Sequence, residues 1–261
     1  MSSDQPVAFI SAGAAGIGLA IARRLGNEGF ACFVNDVDAD AVAAFNREFG
    51  AGTAQVCDVS DPEQVDACLD TFIASSGRID LLVNNVGIAG PTAAVEDIRV
   101  EDWQQTIDVD LSAHFLATRR LVPLMKEAGA GCIVNMSSNA GLHGFPLRSP
   151  YVAAKWALIG LTKTWAMELG RWKIRVNAVC PGSVSGPRID RVIDRDASQR
   201  RLTPDHIRQV YQRQSSLRSF VDAEDIAAMV HFLASDAGAR ISGQAIAVDG
   251  NTEGLTNWLD E

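Results

Sequence analysis

Short apolar runs alternate with amphipathic stretches along almost the whole chain. Val7, Ala8, Phe9 and Ile10 make one such run, closed by glycines and followed by a helical pattern over residues 16–28. The rhythm repeats with strands at 31–35, 53–57, 79–84, 132–136, 174–179 and 245–248. Helical patterns fall at 38–49, 62–75, 100–127, 150–170 and 223–235. Asp38 is a plausible cap for the second helix, Pro62 sits in the first turn of the third, and Pro123 is placed to bend the long one. Seven apolar strands with helices between them predict a mostly parallel seven-stranded sheet covered on both faces. Right-handed crossovers then give a single-domain, doubly wound Rossmann-type α/β fold spanning 1–261. Only residues 183–219 break the rhythm, and an insertion at this level of the sheet predicts a substrate lid.

Composition narrows the class without changing this picture. The 261 residues are 47% hydrophobic and 21% charged, which excludes wholesale disorder, a collagen-like fibre and a disulfide mini-scaffold. No uninterrupted apolar stretch is long enough to span a membrane. Residues 1–6 have no basic leader pattern, so no secretory signal is expected. The net charge of −9 argues against a dedicated nucleic-acid binder. Five scattered cysteines without a CxxC, and four histidines without metal spacing, predict reduced thiols in a cytoplasmic protein with no metal site.

Candidate chemistry begins between the first strand and helix, where Ser11 and Ala12 lead into Gly13, Ala14, Ala15, Gly16, Ile17 and Gly18. Glycines let the backbone turn tightly against a pyrophosphate, and the helix N-terminus offers free N–H groups and partial positive charge. A lone glycine cluster is weak evidence. Position strengthens it, because an acid, Asp36, follows at the end of the second strand. A carboxylate there accepts hydrogen bonds from both adenosine ribose hydroxyls and repels a 2′-phosphate. No Arg or Lys lies in the turn itself, so NAD(H) is expected over NADP(H). The plain alternative is that Asp36 caps the next helix.

Tyr151 and Lys155 stand four apart on a predicted helix and so share one face. A free phenol, with a pKa of about 10, is a poor base at neutral pH. An adjacent ammonium and an oxidised nicotinamide both favour the phenolate. Taken alone, such a pair is usually a surface pair.

The ordered set of glycine turn, Asn84-Asn85-Val86-Gly87, Ser137-Ser138, Tyr151-x-x-x-Lys155 and Pro181-Gly182 resembles the short-chain dehydrogenase/reductase family, over essentially the whole chain. The resemblance implies that Tyr151 is the general acid/base and that Lys155 binds the nicotinamide ribose and supports the phenolate. Ser138 would hydrogen-bond the substrate oxygen, with Ser137 serving the turn. Cofactor contacts are implied at Gly13, Ala15, Gly16, Ile17, Gly18, Asp36, Asp58, Val59, Asn84, Val86, Gly87, Tyr151, Lys155, Pro181, Gly182 and Val184. A homotetramer, paired through the helices around 100–127 and 150–170, is implied as well. Trp156, Trp165 and Trp172 on or after the tyrosine helix are expected in core or interface packing.

Two departures from the family pattern matter. Ser11-Ala12 stands where the family usually has Thr-Gly, and a positive φ at Ala12 would strain it. Asp110 stands where the family normally has an Asn that anchors a water in the proton relay. Its negative charge would hold the Lys155 proton more tightly and weaken the pull on Tyr151, giving an alkaline-shifted activity profile. Alternatively Asp110 is simply solvated or paired.

The lid carries the opposite charge to the rest of the chain. Residues 187–218 hold eight arginines and four aspartates, a net +4, so the remainder carries −13. Arginine suits bidentate recognition of carboxylate or phosphate. An anionic or highly polar small-molecule substrate is therefore one expectation, with Arg188, Arg191, Arg148 and His143 as contacts. Helical Asp/Arg pairs and subunit contacts are the other reading of the run. The sequence thus predicts an NAD-dependent oxidoreductase of a secondary alcohol or ketone, with a sugar, a sugar acid or a hydroxy acid among the candidate substrates. A 3-oxoacyl or aromatic ketone reductase, a cofactor-sensing regulator and a dehalogenase-like enzyme on the same fold remain open.

Overall fold

The computed structural model describes residues 5–255. The N-terminal reading of residues 1–4 therefore lies outside the described residues. Strands β1 (Val7–Ser11), β2 (Ala31–Asp36), β3 (Ala54–Val56), β4 (Leu81–Asn84), β5 (Gly131–Met136), β6 (Ile174–Pro181) and β7 (Ala245–Val248) form one sheet in the order β3-β2-β1-β4-β5-β6-β7. Every neighbouring pair is parallel. The chain winds outward from β1 in one direction and from β4 in the other. The crevice for a ligand therefore opens at the carboxyl ends of β1 and β4.

Alternation along each strand assigns its side chains to two cores. Val7 and Phe9 of β1, Leu82 of β4, Ile133 of β5 and Val176 of β6 face one side. There they meet α3 (Pro62–Ser76) and α5 (Ala113–Ala128) through Val65, Leu69, Phe72, Ala117, Leu121 and Met125. Ala8, Ile10, Leu81, Val83 and Val134 face the other. These pack against α1 (Gly16–Asn27), α2 (Ala39–Phe49) and α9 (Ala223–Ala234) through Ile21, Leu25, Phe45, Ile226 and Val230. Burial on both faces is why the strands read as continuous apolar runs. Trp165 and Trp172 pack partly buried against the first core, while Trp156 is half exposed. All five cysteines are buried and free, and burial pushes the Cys132 and Cys180 thiols up to about 11. Among the described residues no helix is long and apolar enough to cross a membrane.

Two features differ from expectation. The long helix is not continuous: α4 (Val100–Ile107) and α5 are joined by a π-helical turn at Asp108–Ser112, whereas Pro123 stays inside α5. A π turn accommodates an extra residue within a helix, a feature common at functional sites, and this one carries Asp110. Residues 183–219, expected to form a lid, hold two helices that the strand rhythm did not place, α7 (Pro187–Arg200) and α8 (Pro204–Arg213), closing a small core of Ile193, Ala197, Ile207 and Tyr211. Both helices open on a proline, which is pre-organised for a first turn. With these included, the described residues hold more helices than the six the strand rhythm implied.

Candidate active site

The glycine turn is tied down from three sides. Ala12 donates its backbone N–H to Asn35 Oδ1 at 3.1 Å, and Gly13 N–H donates to the Asn35 carbonyl at 2.9 Å. Ser11 Oγ accepts the backbone N–H groups of Asn85 and Val86 at 3.0 and 3.1 Å, so the hydroxyl fastens β1 to the loop after β4. Asn85 Nδ2 donates to the carbonyls of Ser11 and Ala12, each at 3.0 Å. Asn85 belongs to the family motif, yet it is not among the expected cofactor contacts. Asn84, which is, turns its side chain into the sheet. It is fully buried and donates to Thr118 Oγ1 and Asn135 Oδ1, and Asn135 donates on to Thr162. Its NH2 group thus joins β4 to β5 and α5, away from the crevice, while its Oδ1 is buried with no hydrogen-bond partner among the described residues.

Helix α1 begins at this turn without a side-chain cap and without an acid in its first turn. Its free N–H groups suit an anion. A Cβ on Gly18 would collide with the Ala12 carbonyl oxygen, so only glycine permits the close packing of turn and helix. Ala12 does adopt a positive φ of 48°. That left-handed conformation costs an alanine about 1–2 kcal/mol, and the surrounding hydrogen bonds hold it there. These features fit a dinucleotide pyrophosphate.

Asp36 ends β2 with Oδ2 accepting the Ala14 N–H and Oδ1 accepting the Asp38 N–H, each at 3.2 Å. It does not cap α2. Asp38 does, accepting from Asp40 and Ala41. Asp58 is exposed after β3 and Val59 is buried beside it. Pro181 is buried at the end of β6, the Gly182 N–H donates to Val248, and Val184 makes a bridge to Val221.

The sharpest geometry lies at the carboxyl ends of β4 and β5. Helix α6 (Ser149–Leu169) carries Tyr151, half buried, and Lys155, buried, one turn apart. The Lys155 ammonium is 5.6 Å from the centroid of the Tyr151 ring and donates to the Met136 carbonyl at 3.2 Å. Ser137 Oγ donates to the Lys155 carbonyl at 2.8 Å, locking α6 onto β5. Ser138, not Ser137, caps the turn at Asn139–Gly141: its Oγ accepts the Ala140 N–H and donates to Asn139 Oδ1 at 3.1 Å. Both serines therefore hold structure, and the turn is served by the one expected to face substrate.

Asp110 is completely buried. Its Oδ1 accepts the Ile88 N–H at 2.6 Å, and its Oδ2 lies 3.6 Å from the Lys155 ammonium. At that separation the contact is a charge pair rather than a hydrogen bond. Asp110 is thus paired, and its partner is Lys155, one helical turn from Tyr151. One turn further on, His114 is fully buried with its Nε2 3.0 Å from the Val86 carbonyl oxygen. Burial, reinforced by the Lys155 charge, lowers its pKa to about 3, so it is neutral through the assay range. Its unpaired Nδ1 is a further buried polar group that motif spacing did not reveal.

Of the expected substrate contacts, Arg148 stands apart. It is only 7% exposed, with its guanidinium carbon 5.6 Å from the Tyr151 ring centroid. His143 is partly buried on the same loop. Arg188 and Arg191 are exposed on α7, and Arg188 donates to the Gly87 carbonyl at 3.2 Å, linking α7 to the loop after β4. Elsewhere in the lid, Arg200 pairs with Asp196 and Arg208 with Asp190, so part of the charge run is helical pairing. No cluster of three or more metal-ligating side chains occurs among the described residues.

A doubly wound sheet with an uncapped glycine turn, an acid ending β2 and a Tyr/Lys helix defines a dinucleotide-dependent class. Comparison with known proteins narrows this. Residues 12–253 match the family model described as enoyl-(acyl carrier protein) reductase. The chain is 38% identical, over 94% of its own length and 92% of the relative's, to a trans-4-hydroxycyclohexanecarboxylate dehydrogenase of Sinomonas cyclohexanicum. NAD+-bound xylitol dehydrogenase superposes with a TM-score of 0.88 at 28% identity, covering 96% of this chain and 100% of that one. A single-site variant of actinorhodin polyketide ketoreductase with NADPH gives 0.90 at 30% identity, covering 98% of both. The chain belongs to the short-chain dehydrogenase/reductase family.

Proposed function

We propose that the protein is an NAD(H)-dependent oxidoreductase interconverting a secondary alcohol and its ketone, with Tyr151 as general acid/base. The observation that carries this is the buried Lys155 ammonium, 5.6 Å from the Tyr151 ring and anchored by the Met136 carbonyl. The bound nicotinamide supplies or accepts the hydride. In oxidation, Tyr151 Oη takes the hydroxyl proton of the substrate, and in reduction it returns one. Ser138 Oγ donates to the substrate oxygen, for which it must release Asn139 Oδ1. Lys155 stabilises the charged phenol and holds the ribose. Asp36, with no basic residue in the glycine turn, supports NAD over NADP. Pairing of subunits through α4, α5 and α6 into a homotetramer is part of the proposal, supported by Trp103, Phe115 and Trp156 left exposed there.

A polar or anionic substrate is favoured by the basic lid, and a relative's name describes a hydroxy acid. The test is a spectrophotometric panel with NAD+ and NADP+. It pairs 3-hydroxybutyrate and 4-hydroxycyclohexanecarboxylate with their primary amides, and adds xylitol. Reduction of NAD+ by at least one member is expected. No reduction by any member in either direction overturns the reading.

Asp110 gives the reaction its own pH signature. A buried carboxylate beside Lys155 offsets the positive charge that favours the phenolate. Asp110→Asn keeps an oxygen for the Ile88 N–H and removes the charge. It is expected to raise kcat/KM on the acidic limb by about tenfold and shift the pH–rate profile to lower pH. His114 is already neutral there and does not contribute to the limb. An unchanged profile would show that the Asp110 charge is not felt at Tyr151.

A further inference from the structure

Arg148 is a buried cation without an anionic partner among the described residues. It has no ion pair among the described residues, and its one hydrogen bond there runs from Nη1 to Thr92 Oγ1 at 2.6 Å. Its Nε is buried and has no hydrogen-bond partner. A guanidinium this enclosed is costly to leave unsatisfied. It also has company: Arg188 and Arg195 lie near enough to repel it. The nearby charge is therefore positive, and a guanidinium is suited in charge and hydrogen bonding to a carboxylate.

The guanidinium also faces space. Arg148 lines a cavity of about 140 Å³, together with Thr92, Phe145, Val192, Arg195 and Tyr211. That volume holds a small organic molecule rather than a few waters. Among the described residues the only side-chain carboxylate on the wall is Asp196, which is engaged by Arg200. The cavity runs between the 145–148 loop and helix α7, and Arg148 connects its wall to Tyr151, which does not line it, with the guanidinium carbon 5.6 Å from the ring centroid. Local strain fits a built site: Leu147 holds a φ of +65°, and its carbonyl accepts the Ala93 N–H, pinning the Thr92 segment against Arg148.

We infer that Arg148 is the carboxylate-binding residue of the substrate site, with Arg195 at the outer side, so that the substrate is a hydroxy or oxo monocarboxylate whose acid group lies in this cavity. This rests on the oxidoreductase reading above and specifies its substrate class. The Nη2 group donates to a carboxylate oxygen, and the Thr92 hydroxyl, hydrogen-bonded to Nη1, holds the plane of the fork. The aromatic and aliphatic walls supplied by Phe145 and Val192 receive the carbon skeleton between acid and carbinol.

The test uses the hydroxy acid of the panel that is turned over fastest and its primary amide. Native enzyme is expected to prefer the acid in kcat/KM by about 100-fold. Arg148→Met is expected to lower that acid-to-amide ratio by a similar factor, with the loss mostly in KM, and Arg148→Lys to restore part of it. A ratio near one in the native enzyme, or a ratio unmoved by Arg148→Met, overturns the inference. If Arg148→Met does not fold, native enzyme still decides through inhibition. Cyclohexanecarboxylate must compete with the substrate far better than cyclohexanecarboxamide, and equal inhibition overturns the inference. Turnover of amides and acids alike, or of xylitol alone, leaves the oxidoreductase reading standing and overturns this subsite, whereas no turnover of any panel member removes the reading itself.

Discussion

Tyr151→Phe is expected to lower kcat by about 10³-fold while cofactor affinity stays within a few-fold. The substitution removes one oxygen and keeps the ring that lies between the Lys155 and Arg148 cations, each 5.6 Å from its centroid. The anchors of Lys155 do not involve the phenol: they are the Met136 carbonyl and the Asp110 carboxylate. The position of the ammonium should therefore survive, and with it the grip on the ribose. What is lost is the group proposed to exchange a proton with the substrate oxygen, a role that water or Ser138 would fill poorly. The measurements are steady-state turnover of the best panel substrate and calorimetric binding of NAD+. A protein that senses cofactor without reacting would bind equally well in both forms and show no turnover to lose. Retention of full turnover in Tyr151→Phe would move the proton transfer to another group.

The parts of this molecule that could be read from its sequence are those set by local pattern. Strand positions followed from apolar runs because both faces of the sheet are covered, and most helix ends followed from residues such as Asp38 and Pro62 whose chemistry fixes a first turn. The glycine turn, Tyr151 and Lys155 were legible because one helix or one turn holds them. What stayed hidden depends on packing between distant segments. The π turn at Asp108–Ser112 leaves no mark in hydrophobic spacing, and only its placement against α6 shows that Asp110 meets Lys155. Asn84 and Asn85 are adjacent and alike in sequence, yet the strand alternation sends one amide into the sheet and the other to the glycine turn. Of the cations named for substrate, spacing could not say that Arg148 is buried with no carboxylate partner among the described residues while Arg188 and Arg191 are exposed.

Asp36 sets the second large effect, on cofactor choice. Its carboxylate is held at the glycine turn by the Ala14 and Asp38 N–H groups, so its charge cannot swing away from a 2′-phosphate. The next residue, Val37, is 68% exposed and offers no cation. The basic residues of α1 are engaged elsewhere: Arg23 with Glu48 at 2.8 Å and Arg24 with Glu28 at 3.0 Å. Hydrogen bonds to a charged group contribute about 1.5–3 kcal/mol each. Two from a ribose, about 3–6 kcal/mol together, correspond to a preference for NAD+ of about 10²–10⁴-fold, in the same direction as repulsion of the competing phosphate. Asp36→Asn retains an acceptor for the turn and removes the charge. It is expected to lower the NAD+/NADP+ ratio of kcat/KM by about 10²-fold, mainly by improving NADP+. Adding Val37→Arg supplies a fork for the phosphate and should invert the preference. The asymmetry between the two cofactors is the informative part. Loss of both together would mean that Asp36 chiefly holds the turn, and a native enzyme that uses NADP+ as well as NAD+ would mean that the carboxylate does not discriminate at all.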